Sequence, residues 1–370
     1  MEQLITNKIL AIQNDSHSQN LGLFVGDMGI CLALHLMNRT YNIPQAEAEA
    51  DKLLKHIYEN LKHLQNTGFK NGLSGIGWAL CILKGQSCIE GNIDEILLNI
   101  DAVIYKSLTD IKYNVDINLL DGLIGNLIYL VERIRISGHD PSFTLHKLLV
   151  KALIISINRI FENTPILIRK ITKDLRVTAL SEFPILLTYL KKARSINVYS
   201  YKIDSIIQYW CHSFSNISPY YETNKLALAI SLAYYNKNID DELIKNCSDY
   251  LLYKIDYKRV EKEIDCQILN IQGGWIFTLF LLQIEKNLLE KTKVNNVNFD
   301  RLRKRIVIEN NKTFISLLKS QEPANISFIN GLSGIAVLYA LFPTVFEDFT
   351  DSDYSQEYID YFYGKRSYLK

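Results

Sequence analysis

Apolar and polar residues alternate along the chain in two kinds of segment. In the first kind, the apolar residues recur at helical spacing on one face. Residues 93–108 show this spacing with Ile96, Leu97, Ile100, Val103 and Ile104. The same pattern returns at 46–64, 143–161 and 299–318. These segments predict amphipathic helices with one buried face and one face in solvent.

Segments of the second kind are apolar on nearly all sides and follow a pair of glycines. The sequence NGLSGI at 71–76 returns unchanged at 330–335, and related stretches cover 22–36 and 121–134. Weaker copies lie at 180–190, 223–235 and 269–282. The copies follow one another every 45–60 residues or so, roughly the repeat length of helical-pair arrays. We expect these seven segments to form buried helices, and no hairpin pattern predicts a sheet.

The alternation of the two kinds of segment predicts the fold. The first and last buried copies are as apolar as the middle ones, so an open array would expose both of its ends. Closing the array removes those ends, and the sequence therefore predicts an all-α fold, an α/α toroid of about seven helical hairpins. The glycine pairs are expected to permit positive φ and close approach of neighbouring loops along one rim. The predicted toroid covers 1–343, and an acidic, aromatic tail covers 344–370.

Composition narrows the function classes. The net charge is +1, from 41 basic and 40 acidic residues, so no overall field favours nucleic acid as a partner. The first twenty residues lack the pattern of a signal peptide, and the apolar run at 273–282 is about half the length that spans a bilayer. The six cysteines are spread through amphipathic segments and are expected to be reduced thiols of a cytoplasmic protein.

The repeated motifs carry a family resemblance. NGLSGIGWAL at 71–80, DGLIGNLIYL at 121–130 and NGLSGIAVLYAL at 330–341 resemble the lanthionine synthetase C-like (LanC-like) family, as does GLFVGDMGICLAL at 22–34. The resemblance covers seven modules in order and is strongest in modules one, two, three and seven. It implies an α/α toroid. It also implies a zinc-dependent cyclase that adds a peptide cysteine thiol to dehydroalanine or dehydrobutyrine and so forms a thioether ring.

The zinc ligands that the resemblance implies are not kept. In the family, two cysteines and one histidine hold zinc and leave a fourth position for the substrate thiol. Here Leu, Asn and Ile occupy the Cys-His-Gly positions of module six at 269–271, and module five aligns at 222–224 with Glu, Thr and Asn. The histidine of module four, a candidate proton donor in the family, falls at about Leu180, and the last glycine of that module is Pro184. We therefore expect no metal ligands, no zinc and no assigned catalytic residue.

Polar residues near the module tips are the candidates for rim or ligand binding. They are Asp27, Asn71, Asp121, Asn270, Gln272 and Asn330. The adjacent Cys211 and His212 also suggest a metal site, but neighbours on a helix point about 100° apart. Cys247 and Cys266 lie before module six rather than at its tip. Buried thiols and a surface histidine are the favoured interpretation.

Three functions remain open from the sequence. The leading hypothesis is a zinc-free LanC-like protein of lanthipeptide (lantibiotic) biosynthesis that binds a precursor or modified peptide, or partners the modifying and export proteins. The first alternative is a divergent lanthionine cyclase, so enzymatic activity stays undecided. The second is a carbohydrate-active enzyme on an (α/α) barrel, which would use carboxylates such as Asp27, Asp121, Glu182 and Asp265. Acidic residues at helix amino termini are also favoured by the helix dipole alone.

Overall fold

A computed structural model describes residues 2–15, 20–110, 116–137, 144–173, 178–265, 327–328 and 331–341. Within these ranges the regular structure is helical, and no strand occurs. The helices are α1 (Glu2–Asp15), α2 (Asp27–Tyr41), α3 (Pro44–Asn60), a 3-10 turn (Leu61–His63), α4 (Leu73–Gly85), α5 (Ile93–Thr109), α6 (Leu123–Ser137), α7 (Thr144–Glu162), α8 (Thr164–Lys173), α9 (Thr178–Ser195), α10 (Ser200–Asn216), α11 (Glu222–Asn236), α12 (Glu242–Tyr253), α13 (Tyr257–Asp265) and α14 (Leu332–Leu341).

The described helices alternate between an inner and an outer layer. The inner helices follow the glycine pairs and their weaker copies, and they are α2, α4, α6, α9, α11 and α14. Every residue of α6 from Leu123 to Ile134 is buried, whereas the outer helix α5 buries one face that includes Leu97, Ile100 and Ile104. The two predicted kinds of helix are therefore confirmed. The alternation did not predict α8 and α13, which are short helices in the weaker half of the chain.

Consecutive inner helices pack side by side and close a ring. Contacts run from α2 to α4, α6, α9 and α11 in order, and α14 packs against α2 and α1. The Thr40 hydroxyl at the end of α2 donates to the carbonyl of Ala340 in α14 at 3.2 Å. The all-α toroid is confirmed, with the last module meeting the first. The inner helix of module six (269–282) and the boundary at residue 343 lie outside the described residues, so the domain limits stay a prediction.

A buried polar network joins the inner and outer layers in module three. Arg133 of α6 is fully buried and reaches two carboxylates of α5, with Nη1 2.8 Å from Asp94 and Nη2 3.0 Å from Asp101. The Tyr129 hydroxyl donates to Asp101 at 2.5 Å. Burial raises the pKa of the Asp101 carboxyl, and Arg133 acts against that rise. The network fixes α6 against α5 with all its members in place.

Candidate functional site

Three loops of the rim share one local structure. In each, the backbone carbonyl six residues before the helix-leading glycine accepts from the first N–H of the inner helix, at 2.8–3.0 Å. The pairs are Asn20 with Asp27, Asn66 with Leu73, and Asp116 with Leu123. The Asn20 and Asn66 amides also accept from the N–H groups of Gly22 and Gly68, each at 2.8 Å. Each loop therefore caps its own helix, through an Asn or Asp that the sequence analysis did not single out.

The same carbonyls explain the glycine pair. A Cβ on Gly72 would lie 2.5 Å from the carbonyl oxygen of Asn66, and a Cβ on Gly75 would collide with the carbonyl of Phe69. The φ of Gly72 is −129° and that of Gly26 is −128°, so the prediction of positive φ at these glycines is wrong. Close approach of the loop backbone, the other half of that prediction, is the reason for glycine here.

Neighbouring loops form a hydrogen-bond ladder around the rim. Phe328 donates its backbone N–H to the carbonyl of Phe24, Phe24 donates to Lys70, and Lys70 donates to Leu120, at 2.8–2.9 Å. These bonds join modules seven, one, two and three in order and with one direction. The rings of Phe24 and Phe69 pack edge to face with centroids 6.0 Å apart, and Phe328 lies 6.1 Å from Phe24. Because these loops bond to one another, the rim is continuous over these four modules.

The structure brings two of the predicted rim residues into equivalent places. Asn71 and Asp121 both stand directly before the leading glycine, in the neighbouring loops of modules two and three. Asn71 is half-buried, and its Oδ1 has no hydrogen-bond partner in the described part of the chain. Asp121 is exposed, and its backbone N–H donates to Asn118 at 2.8 Å. The exposed Asp121 carboxylate suits a ligand that carries N–H donors, whereas the Asn71 oxygen is shielded from solvent.

Asp27 has a different environment from the other candidates. It is the first residue of α2 and is 2% exposed. Its Oδ2 lies 3.0 Å from Nδ1 of His56 on the outer helix α3. Asp27 therefore faces the outer layer and orients a histidine that is about half exposed. The candidates Asn270, Gln272 and Asn330 lie outside the described residues.

Two carboxylates of the weaker half of the chain accept hydrogen bonds from backbone N–H groups of other segments. Glu182 of module four accepts from the N–H of Leu119 at 3.2 Å. In module five, Glu263 of α13 accepts from the N–H groups of Glu222 and Thr223 at 3.1 and 2.8 Å. Glu182, through its bond with Leu119, and Asp27, through its contact with His56, therefore have structural roles. These roles argue against a sugar-cleaving pair of carboxylates. The side chain of Asp265 lies outside the described residues.

The start of α11 is a buried cluster of opposite charges. Glu222, Thr223 and Asn224 are each at most 4% exposed. Lys225 lies 2.7 Å from the Glu222 carboxylate, and Arg259 lies 3.7 Å from both Glu222 and Glu263. The second oxygen of Glu222 accepts from the N–H of Asp256 at 3.0 Å. The module-five cluster of these residues therefore satisfies its carboxylates internally.

The module-five residues do not fit zinc. No thiol or imidazole lies in the aligned stretch, and both carboxylates of the cluster are held by backbone N–H groups and cations. The Cys211 side chain is buried in α10 while the next residue, His212, is exposed, in agreement with the sequence interpretation. Cys247 of α12 donates to the carbonyl of Cys211 at 3.7 Å. The pKa of the Cys211 thiol is raised, first by its hydrogen bond with the Cys247 side chain and then by burial.

Over the described ranges, no three His, Cys, Asp or Glu side chains are placed to hold a metal. The metal positions of module six at 269–271, and Cys266, lie outside the described residues. The zinc-free state of the whole chain therefore stays a prediction. What the structure adds is the chemistry of module five, where the donor set is carboxylate and amide rather than thiolate.

A second cluster lies on the inner face of the ring. The Trp78 indole of α4 donates to the Tyr189 hydroxyl of α9 at 3.0 Å. These helices belong to modules two and four, so their side chains meet across the face of α6 that points to the ring centre. Burial raises the pKa of the Tyr189 phenol, and the Glu132 carboxylate adds to that rise. The inner wall is therefore aromatic and hydrogen-bonded at this level.

The fold, an α/α toroid with glycine-led inner helices, defines the class of protein. Residues 7–172 match the family model described as lanthionine synthetase C-like protein. The match covers modules one to three and a little under half of the 370 residues. Over this region the chain is similar to the LanC-like family. A comparison with curated proteins finds no match. No helix among the described residues is long and apolar enough to span a bilayer.

Proposed function

We propose that the chain is a zinc-free LanC-like protein that binds and presents a precursor or modified peptide in lanthipeptide-type maturation, or partners the modifying and export proteins. A cytoplasmic location is part of the proposal. The observation that carries it is the module-five cluster. Glu222–Asn224 stand where the family holds a zinc ligand, and Glu263 and Arg259 satisfy the charges of this cluster internally.

The rim supports the peptide as ligand. The loops of modules seven, one, two and three form a continuous ladder, and the exposed carboxylate of Asp121 offers an acceptor to the N–H of an extended peptide. The half-buried Asn71 stands at the equivalent position of the neighbouring loop. Binding to backbone N–H groups would not require the metal that thiol activation requires.

Metal content tests the zinc-free part. The full chain, purified without chelators from zinc-supplemented medium, is expected to hold well under one zinc per molecule by elemental mass spectrometry. A Cys211→Ser/Cys247→Ser variant is measured in parallel. One tightly held zinc per chain would overturn the proposal, and its loss in the double variant would locate the ligands in α10 and α12.

Peptide binding is tested separately. A labelled dehydrated peptide is expected to bind the wild type, and Asp121→Ala is expected to weaken binding about fivefold through loss of one hydrogen bond. Asn99→Ala, an exposed change on the outer helix α5, is the control and is expected to bind like the wild type. Equal affinity of Asp121→Ala and wild type would remove Asp121 from the site.

Similarity to the family favours a divergent cyclase as the second candidate. Ring closure leaves the peptide mass unchanged, because the thiol adds across a double bond, so the readout is the loss of alkylatable thiol. We expect no thiol loss above the uncatalysed rate. Accelerated loss would support the cyclase, whether or not zinc is found.

A further inference from the structure

The inner helices end in a group of cations at the opposite end of the ring from the rim. The described inner helices start at the rim loops, so their last turns lie together at the far end. Arg135 is in the last turn of α6, Lys191 and Lys192 are near the end of α9, and Tyr234 is near the end of α11. We call Arg135, Lys191, Lys192 and Tyr234, with the carboxylate Glu132, the cationic mouth.

Two cations of the mouth share one carboxylate. Lys192 Nζ bonds Oε1 of Glu132, and Arg135 lies 2.5 Å from Oε2 of the same residue. Glu132 is 5% exposed, while the Arg135 side chain is about half exposed. Lys192 also sits 4.4 Å above the ring of Tyr189. Lys192 and Arg135 together with Glu132 therefore leave one net positive charge beside the Tyr189 ring.

Lys191 adds a third cation, and no carboxylate of the described ranges is in contact with it. Its Nζ donates to the backbone carbonyls of Tyr234 and Lys237, the latter at 2.9 Å, and lies 4.4 Å above the Tyr234 ring. The pKa of Lys191 is lowered to about 8, mainly by burial and in addition by the nearby cations Lys237 and Arg194. Both charges that act on this amine are therefore repulsive.

Helix ends explain part of this arrangement. Cations are favoured at helix carboxyl termini, which accounts for Lys191 on the last carbonyls of α11. That effect does not require two cations on Glu132. In the loop after α11, Asp241 caps α12 and accepts from Gln208. Arg194 is bound to Asp204 at 2.8 Å.

We propose that the cationic mouth docks an acidic peptide segment. Three cations against one carboxylate leave an excess of about two positive charges, which two carboxylates of a short extended peptide can balance, and the half-buried ring of Tyr234 supplies contact area beside them. A peptide fits better than nucleic acid because the excess charge is local and the chain as a whole has a net charge of +1. The site is separate from the rim and does not depend on the proposed function.

The test uses the full chain and a short fluorescein-labelled peptide of alternating Asp and Gly, followed by anisotropy. Binding is expected at low salt and is expected to weaken steeply at about 0.5 M salt. Arg135→Gln is expected to weaken binding about fivefold, since one charge contact is lost. Arg135→Lys keeps the charge and is expected to bind nearly as the wild type does. Lys62→Gln removes an exposed charge beyond α3, next to the rim, and is the control for net charge.

Several outcomes overturn the proposal. One is equal binding of a peptide with Asn in place of Asp. Another is a loss of affinity in Lys62→Gln as large as that in Arg135→Gln. A third is an equally large loss in Arg135→Lys, which keeps the charge. A single-stranded oligonucleotide that binds more tightly and depends on Arg135 would assign the mouth to nucleic acid instead. Thermal melts of each variant show whether the fold is intact.

Discussion

The Glu263 carboxylate binds Thr223 twice, through the backbone N–H and through the side-chain hydroxyl, each at 2.8 Å. The two residues are 40 positions apart and lie in α13 and α11. Both are less than 10% exposed. The carboxylate provides the first turn of α11 with an acceptor that belongs to another helix, so α13 is tied to the rim end of the inner layer.

Glu263→Gln tests this tie. The amide keeps one acceptor but loses the charge, so at least one buried N–H or hydroxyl is left without a good partner. The free energy of unfolding is expected to fall by about 1–3 kcal/mol, measured by urea denaturation. Glu90→Gln, an exposed loop change, is the control and is expected to stay within about 0.5 kcal/mol of the wild type. Similar values for the two variants would show that the bonds of Glu263 do not stabilise the fold.

Sequence reasoning recovered the scaffold because the repeat is local. The glycine pairs at Gly72 and Gly75 set the start of α4 in their own loop, and the hydrophobic pattern set its buried faces. The weak copies in α9 and α11 were placed correctly for the same reason. Asn20 and Asn66 each stand six positions before the leading glycine, and this spacing is a sequence signal for the loop cap.

The site depended on partners that lie far apart in sequence. Asp27 was correctly placed at a module tip, but its contact with His56 joins two helices across the layers. Glu263 lies in a helix that the alternation did not predict, so its role at Thr223 could not be inferred from the repeat. Positions in a repeat can be read from the sequence, whereas the direction of a side chain depends on packing.

Gly77 is expected to resist substitution by alanine. Its added Cβ would collide with the Tyr129 ring and lie 2.9 Å from Cδ2, and Tyr129 is held by its bond to Asp101. The loss in the free energy of unfolding is expected to be about 1–3 kcal/mol. Gly85→Ala in the same helix meets only Ile136 Cδ1 at 3.4 Å, and is expected to be neutral or to stabilise by a few tenths to about 1 kcal/mol. Equal tolerance at both positions would contradict the packing described for Tyr129.

Removal of Arg133 is expected to be the most damaging single change. Arg133→Met leaves Asp101 buried beside Asp94 without their cation, and the expected loss is about 3–5 kcal/mol by denaturant unfolding. Arg169→Gln, an exposed change in α8, is the control. Adding Asp101→Asn to Arg133→Met is expected to restore part of the loss, since the buried charge is removed. A double variant less stable than Arg133→Met would argue against charge burial as the cause.

His35 gives the protein a stability that depends on pH. Burial lowers the pKa of His35 below its ordinary 6.5, although Asp51 and Glu47 act to raise it. The unfolded chain therefore binds a proton at higher pH than the folded one, and stability falls as pH drops through 6.5. His35→Gln is expected to flatten the curve between about pH 7 and 5, by up to about 1.4 kcal/mol per unit of pKa shift. His63→Gln, at an exposed histidine, is the control, and an unchanged curve in His35→Gln would remove His35 as the cause.

The hydrogen bond between Thr40 and Ala340 can form only late in the synthesis of the chain. The two residues are 300 positions apart, so at about 5–20 residues per second the ribosome makes the second about 15–60 s after the first. Through that interval α2 has its local partner α3 but lacks α14, and one apolar side of the first module stays open. Until the last helix is made, the nascent chain must therefore avoid self-association through this exposed apolar side.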